Sequence, residues 1–182
     1  MRVLGISGSL RRASHNRRLL RAAAALLSPE AELVMFEGLK AIAPYDEDDE
    51  ADPAPAVRAW REAIVEADAL LFSTPEYNSS IPGQLKNAVD WASRPVASAA
   101  LRNKPTAVLG ASTGMFGAVW AQAELRKVLA AAGARVIDRE LPVAVADEAF
   151  TEQGTLGDEE LSRELAGILD ELRDQAASRA VA

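Results

Sequence analysis

Gly8-Ser9-Leu10-Arg11-Arg12-Ala13-Ser14-His15-Asn16 combines hydroxyls, cations and an amide in one short stretch between two patterned segments. It follows the apolar run Val3-Leu4-Gly5-Ile6 and precedes an amphipathic run that begins at Arg17. A loop leaving a strand and opening a helix aims free backbone N–H groups and the positive end of the helix dipole at one small volume, where a phosphate can bind. Ser9, Ser14 and Asn16 add side-chain hydrogen bonds, and Arg11 and Arg12 add charge. A phosphate monoester carries roughly −1.5 to −2 charges near neutrality, so donors from several directions suit it. The same segment also reads as a serine-rich loop ending in Asn16 as a plain helix cap, and taken alone it leaves both readings open.

Two phosphate loops are excluded by spacing. No G-x-x-x-x-G-K-[ST] is present, and Gly5 and Gly8 have no third glycine to complete a dinucleotide fingerprint. What remains is a site for one terminal phosphate. Two further loops are rich in binding chemistry. Thr74 to Gly83 carries two stiffening prolines, the aromatic face of Tyr77 and the two-way amide of Asn78, which suit a planar heteroaromatic ligand. Its bland reading is a rigid turn whose tyrosine covers the end of a sheet. Gly110 to Gly117 offers three glycines with Ser112 and Thr113, so a ligand edge can approach the backbone closely. That segment also spells the G-x-S-x-G elbow of serine hydrolases. In that fold the histidine follows the serine, whereas the single histidine, His15, lies far upstream, so the triad reading fails.

Composition narrows the options. A chain of 182 residues with 49% hydrophobic content suits one domain over 1–182. With no cysteine and one histidine, thiol nucleophiles, thiolate metal sites and multi-histidine centres are excluded, and no metal is expected. A net charge of −7 disfavours nucleic acid and anionic membranes as partners. No apolar run is long enough to span a bilayer and no export signal is evident, so a cytoplasmic protein is expected. The acidic run Asp46 to Glu50 lacks the glycine and ligand spacing of a calcium loop and reads as a solvated connection.

Apolar runs alternating with helical patterns indicate a parallel sheet covered on both faces by helices. Strands are predicted near 2–6, 32–36, 69–73, 106–110 and from 136 onward, with 141–145 continuing the last. Helices are predicted near 17–27, 56–67, 84–92, 118–132 and 158–175, the last capped by Asp158 and the fourth ended by Gly133. Five strands in this α/β pattern suggest the doubly wound order 2-1-3-4-5, whose ligands sit beyond the carboxyl ends of the strands at the switch point. The loops after strands one, three and four should therefore converge.

On these motifs the chain resembles the NADPH-dependent FMN reductases, a flavodoxin-like family that includes bacterial quinone and chromate reductases. The resemblance is carried by Gly8-Ser9-Leu10-Arg11 with Ser14 and Asn16, and by Pro75-Glu76-Tyr77-Asn78 with Ser80, Pro82-Gly83, Leu85-Lys86-Asn87-Ala88 and Asp90-Trp91. It runs from the first strand through the helix after Gly117. Thr113 departs from it, standing where the family often has proline. The resemblance implies that Ser9, Arg11, Ser14, His15 and Asn16 hold the FMN phosphate. Pro75, Glu76, Tyr77 and Asn78 would contact the isoalloxazine and ribityl chain, and Ser112 and Gly114 would lie along the polar edge of the ring. Hydride would pass from NADPH or NADH through FMN to a small-molecule electron acceptor: a quinone, a flavin, an azo compound or a metal oxyanion such as chromate. No catalytic side chain is expected, because the flavin carries the redox chemistry. Backbone N–H groups of 76–78 would stabilise the reduced ring, and Arg11, Arg12 and Arg17 would attract the 2′-phosphate of NADPH. The family also implies a homodimer or homotetramer, with Trp91 and Trp120 equally readable as interface anchors or core aromatics. Two rival classes are a non-enzymatic electron carrier like the flavodoxins and an interaction protein that kept the fold and lost the cofactor.

Overall fold

The computed structural model describes residues 1–179. The strands are β1 (Arg2–Ser7), β2 (Glu32–Met35), β3 (Ala69–Thr74), β4 (Pro105–Ala111), β5 (Arg135–Val136) and β6 (Pro142–Val143). The helices are α1 (His15–Leu26), α2 (Pro55–Glu66), α3 (Gly83–Ala92), α4 (Val119–Ala131) and α5 (Glu159–Arg179). All strand pairs are parallel, in the order β2-β1-β3-β4-β5, with β6 also pairing with β4. The 2-1-3-4-5 expectation is thus met, with the fifth position shared by two short strands.

The central strands read as unbroken apolar runs because both of their faces are covered. Leu4, Ile6, Leu70, Phe72 and Val108 meet Trp60 and Ile64 of α2, Leu85 and Trp91 of α3, and Leu125 and Leu129 of α4. The alternate residues Val3, Leu71, Ala107 and Leu109 meet Leu19 and Leu20 of α1 and Leu165, Ile168 and Leu172 of α5. Each fully buried side chain of this kind contributes about 1.5–3 kcal/mol relative to exposure. The indole of Trp60 adds no unsatisfied donor, since its Nε1 donates to Ala88 O at 2.7 Å.

Two elements differ from expectation in ways that matter for the site. Helix α1 starts at His15 rather than Arg17, and its cap is Ser14, whose side chain accepts from Arg17 N at 3.4 Å. Asn16 is therefore inside the first turn and is not the cap. The fifth strand is split into β5 and β6, and Gln122, fully buried on α4, accepts from Leu141 N at 3.0 Å just before β6 and donates to Gly117 O at 3.0 Å. Arg126 holds the outward loop between the halves through Asp138 and Glu140, at 3.2 and 3.3 Å. Asp158 does cap α5, accepting from Glu160 N and Leu161 N, and Gly133 takes a φ of +93° after α4. The acidic run forms a single exposed 3-10 turn, Glu47–Asp49, with Asp46 accepting from Asp48 N.

Candidate functional site

Strands β1, β3 and β4 are neighbours, and the chain leaves β1 for β2 on one side and later returns to β3 on the other. The crevice outside their carboxyl ends is the position where such sheets bind ligands. Gly8 brings the first two loops together there. Its N–H donates to Ser73 O at 2.8 Å, and a Cβ in its place would sit 2.8 Å from Leu85 Cδ2 and 3.2 Å from Pro75 Cδ.

All three loops meet around one cavity of about 150 Å³. The first loop contributes Ser9, Arg11, Ser14, His15 and Asn16, the second Pro75, Glu76 and Tyr77, and the third Ala111, Ser112 and Thr113. Nine expected site residues share this wall. Asn78 and Gly114 do not line it.

The donors around the cavity divide by whether they are already engaged. Asn16 is almost fully buried, and its amide is committed to the scaffold. Its Nδ2 donates to Ala111 O at 2.9 Å, while its Oδ1 accepts from Ala111 N at 3.0 Å and from the Ser73 hydroxyl at 2.8 Å. These bonds use both lone pairs of Oδ1 and one of the two Nδ2 hydrogens, so the side chain faces a ligand with at most its second Nδ2–H beside the backbone N–H. The N–H groups of His15 and Asn16, first in α1, meet no acceptor among the described residues, as the geometry of a helix start dictates. His15 Nε2 lies 3.1 Å from Asp147 Oδ1, and its Nδ1 is buried without a partner among the described residues. Arg11 donates only to the nearby Ala13 O, at 3.2 Å, and is otherwise exposed at the mouth.

The second loop is a tight reversal. Tyr77 N donates to Ser80 O and Ser80 N to Tyr77 O, at 2.9 and 3.1 Å, with Asn78 and Ser79 both left-handed at φ of 54° and 58°. Asn tolerates that conformation better than most residues. It places Asn78 exposed at the tip, and the Tyr77 N–H, expected to face a reduced ring, is already used. Glu76 Oε2 accepts from Ala121 N at 3.1 Å, so its carboxylate serves the first turn of α4, which otherwise has no side-chain cap. Glu76 thus positions the second loop against the fourth helix.

The third loop is held mainly through its backbone. Ser112 N donates to Val143 O, Ala146 N to Ser112 O, and Val145 N to Gly114 O, at 3.0 to 3.2 Å. Ser112 Oγ accepts from Gly114 N at 3.1 Å, leaving its own proton free to donate. No hydrogen bond among the described residues joins Ser112 to His15, so the elbow-like spelling lacks the nucleophile-base contact a hydrolase needs. Beyond the cavity the loop exposes Met115 and Phe116, and Phe116 packs edge-on against Trp120 with ring centroids 5.0 Å apart. Trp91, by contrast, is a core residue that donates from Nε1 to Ala43 O at 2.8 Å.

Sequence reasoning missed Asp147 and the chemistry at the end of β2. Asp147 follows β6 and meets His15 only through the fold, so no local signal marks it. Thr113 was visible beside Ser112 but was not assigned to the site.

Comparison with known proteins gives concordant findings. Residues 1–148 match the family model described as NADPH-dependent FMN reductase. The chain is 45% identical over 167 residues to an NAD(P)H-dependent FMN reductase of Pseudomonas aeruginosa, covering 91% of this chain and 89% of the relative. It is 42% identical over 130 residues to a 2-hydroxy-1,4-benzoquinone reductase of Burkholderia sp., covering 71% and 70%. Among solved structures it is similar to the flavoenzyme NAD(P)H:(acceptor) oxidoreductase FerB of Paracoccus denitrificans, with a TM-score of 0.85, 34% identity and 97% of each chain covered.

Proposed function

The chain belongs to the NADPH-dependent FMN reductase family, and from that premise we propose that the three-loop cavity is where it holds FMN and works as an NAD(P)H:quinone-type oxidoreductase. The observation that carries this reading is the convergence of the hydroxyls of Ser9 and Ser14, the Arg11 guanidinium and the open N–H groups at the start of α1 on one cavity. That donor set suits a phosphate, and Pro75 and Tyr77 on the same wall suit a flat ring.

FMN, when bound, supplies the redox chemistry: hydride is taken from NAD(P)H and its electrons are delivered to the acceptor. The protein residues bind and orient. Ser9, Arg11, Ser14 and His15 would hold the phosphate, with the N–H groups at the start of α1 adding the favourable end of the helix dipole. Pro75 and Tyr77 would border the ring, with Ser112 donating at its polar edge. Glu76 and Asn16 act one step back, holding α4 and α1 in register with the loops. Asn78 and Gly114, both outside the cavity wall, would take part only at its margin. No side chain is assigned acid–base work.

Quinones are the acceptor class we favour, on the 2-hydroxy-1,4-benzoquinone reductase among its relatives, with azo compounds and metal oxyanions such as chromate as the wider class proposed for the same site. Among the described residues no helix is long and apolar enough to cross a membrane. In keeping with the family we place the protein in the cytoplasm, and we propose a homodimer or homotetramer on the exposed Phe116–Trp120 pair beside the third loop.

The test is optical. Purified protein should show a bound-flavin absorbance spectrum that bleaches on anaerobic addition of NADPH alone and returns on addition of a quinone. Bleaching that requires a separate reductase would make the protein a carrier, and colourless protein that takes up no FMN would sink the proposal.

A further inference from the structure

A second hollow, of about 290 Å³, adjoins the three-loop cavity and shares Ser9 and Arg11 with it. It lies between the first loop, α1 and the residues that follow β2. Five cationic side chains line it against one carboxylate, in a chain whose net charge is −7. Such a local inversion of sign marks a place for an anion.

The cations are not equivalent. Arg17 is locked in a two-pronged pair with Glu37, donating from one guanidinium nitrogen to Oε2 at 2.7 Å and from the other to Oε1. Glu37 is thereby neutralised within the hollow, and Arg17 is withdrawn from the role its position in the sequence suggested. Arg12 and Lys40 make no hydrogen bond or ion pair with any described residue, and both are exposed. Lys40 comes from the 3-10 turn Leu39–Ala41 after β2, so the two cations face the hollow from different segments. Phe36, half-buried against Trp60 with ring centroids 4.7 Å apart, supplies an apolar wall.

This hollow differs in kind from the FMN cavity. The cavity offers short hydroxyls and helix-start N–H groups that fix orientation. The hollow offers long, unpaired cations, which attract a doubly charged group without positioning it tightly. Resting on the proposed FMN site, we infer that Arg12 and Lys40 bind the 2′-phosphate on the adenosine end of NADPH and set the preference for NADPH over NADH. A 2′-phosphate adds roughly −1.5 to −2 charges to the adenosine, and nothing else distinguishes the two dinucleotides.

FMN-loaded protein should be titrated calorimetrically with 2′,5′-ADP and with 5′-AMP. The wild type should bind 2′,5′-ADP at least about tenfold more tightly, and Arg12→Gln with Lys40→Gln should erase most of that preference while leaving 5′-AMP affinity, flavin content and melting temperature unchanged. Glu37→Gln, which removes the one carboxylate and releases Arg17, should tighten 2′,5′-ADP severalfold. Equal binding of the two probes by the wild type, a double variant that keeps the preference, or one that weakens both probes alike would overturn the inference. Those outcomes leave the flavin site standing, whereas failure to retain FMN would overturn both readings together.

Discussion

The loop after β1 and the loop after β4 border the same cavity but are built on opposite plans. In the first, Ser14 and Asn16 are 3% exposed and tied by side chains to the first turn of α1 and to the ends of β3 and β4. In the second, Met115 and Phe116 are 81% and 61% exposed and the loop is anchored mainly by its backbone. The first plan suits a group that must be held in one orientation. The second leaves apolar side chains free for whatever approaches the mouth, a second copy or an acceptor.

The sharpest way to break this contrast is Asn16→Ala. It strands the Ala111 N–H, the Ala111 carbonyl and the Ser73 hydroxyl in a buried setting, so unfolding free energy should fall by about 3 kcal/mol or more, read from urea denaturation. Flavin retention should be lost with it. In the third loop the sensitive point is backbone, at Gly117, whose φ is +55° and where a Cβ would lie 2.4 Å from the Pro142 carbonyl carbon. Gly117→Ala should cost about 2 kcal/mol, detected as a lower melting temperature. Glu76→Ala removes the side-chain acceptor of Ala121 N in the first turn of α4 and should cost about 1 kcal/mol in the same measurement. Phe116→Ser, if the two plans differ as described, should change monomer stability by less than about 0.5 kcal/mol while shifting sedimentation toward smaller species.

The smallest effect expected is electrostatic. The hydrogen bond from Arg17 holds the Glu37 carboxyl below the usual glutamate range, with burial opposing and the charges of Arg17 and Arg21 assisting. A depressed folded-state pKa means that its contribution is present above the ordinary glutamate range and lost as pH falls through the depressed value. Glu37 is largely exposed, so the effect is small. Glu37→Gln should flatten this part of the acid-side slope of urea midpoints without moving the neutral-pH plateau by much.

Much of the architecture was legible because parallel sheets leave a local signature. Val3 to Ile6, Ala69 to Ser73 and Thr106 to Gly110 are continuous apolar runs, and the Leu161 to Leu172 stripe repeats at helical spacing. The exceptions are instructive. The start of α1 was placed two residues late because Asn16 and Ser14 are both good caps, and only the packing of Asn16 against β4 decides between them. The fifth strand was expected to run on from 136 with 141–145 continuing it, whereas the fold divides it and ties the start of its second piece to Gln122, which looks like an ordinary helix residue in the chain.

What the sequence determined by itself was the succession of elements, the faces they bury and the three loops that gather at one edge of the sheet. Those follow from periodicity and turn chemistry, which act over a few residues. Only the tertiary structure decided which polar groups already have partners: Asn16 bonds to Ala111, 95 residues away, Arg17 to Glu37, 20 residues away, and His15 faces Asp147. Polar groups are allocated by proximity in the folded state, and a residue's type does not record who its neighbour will be.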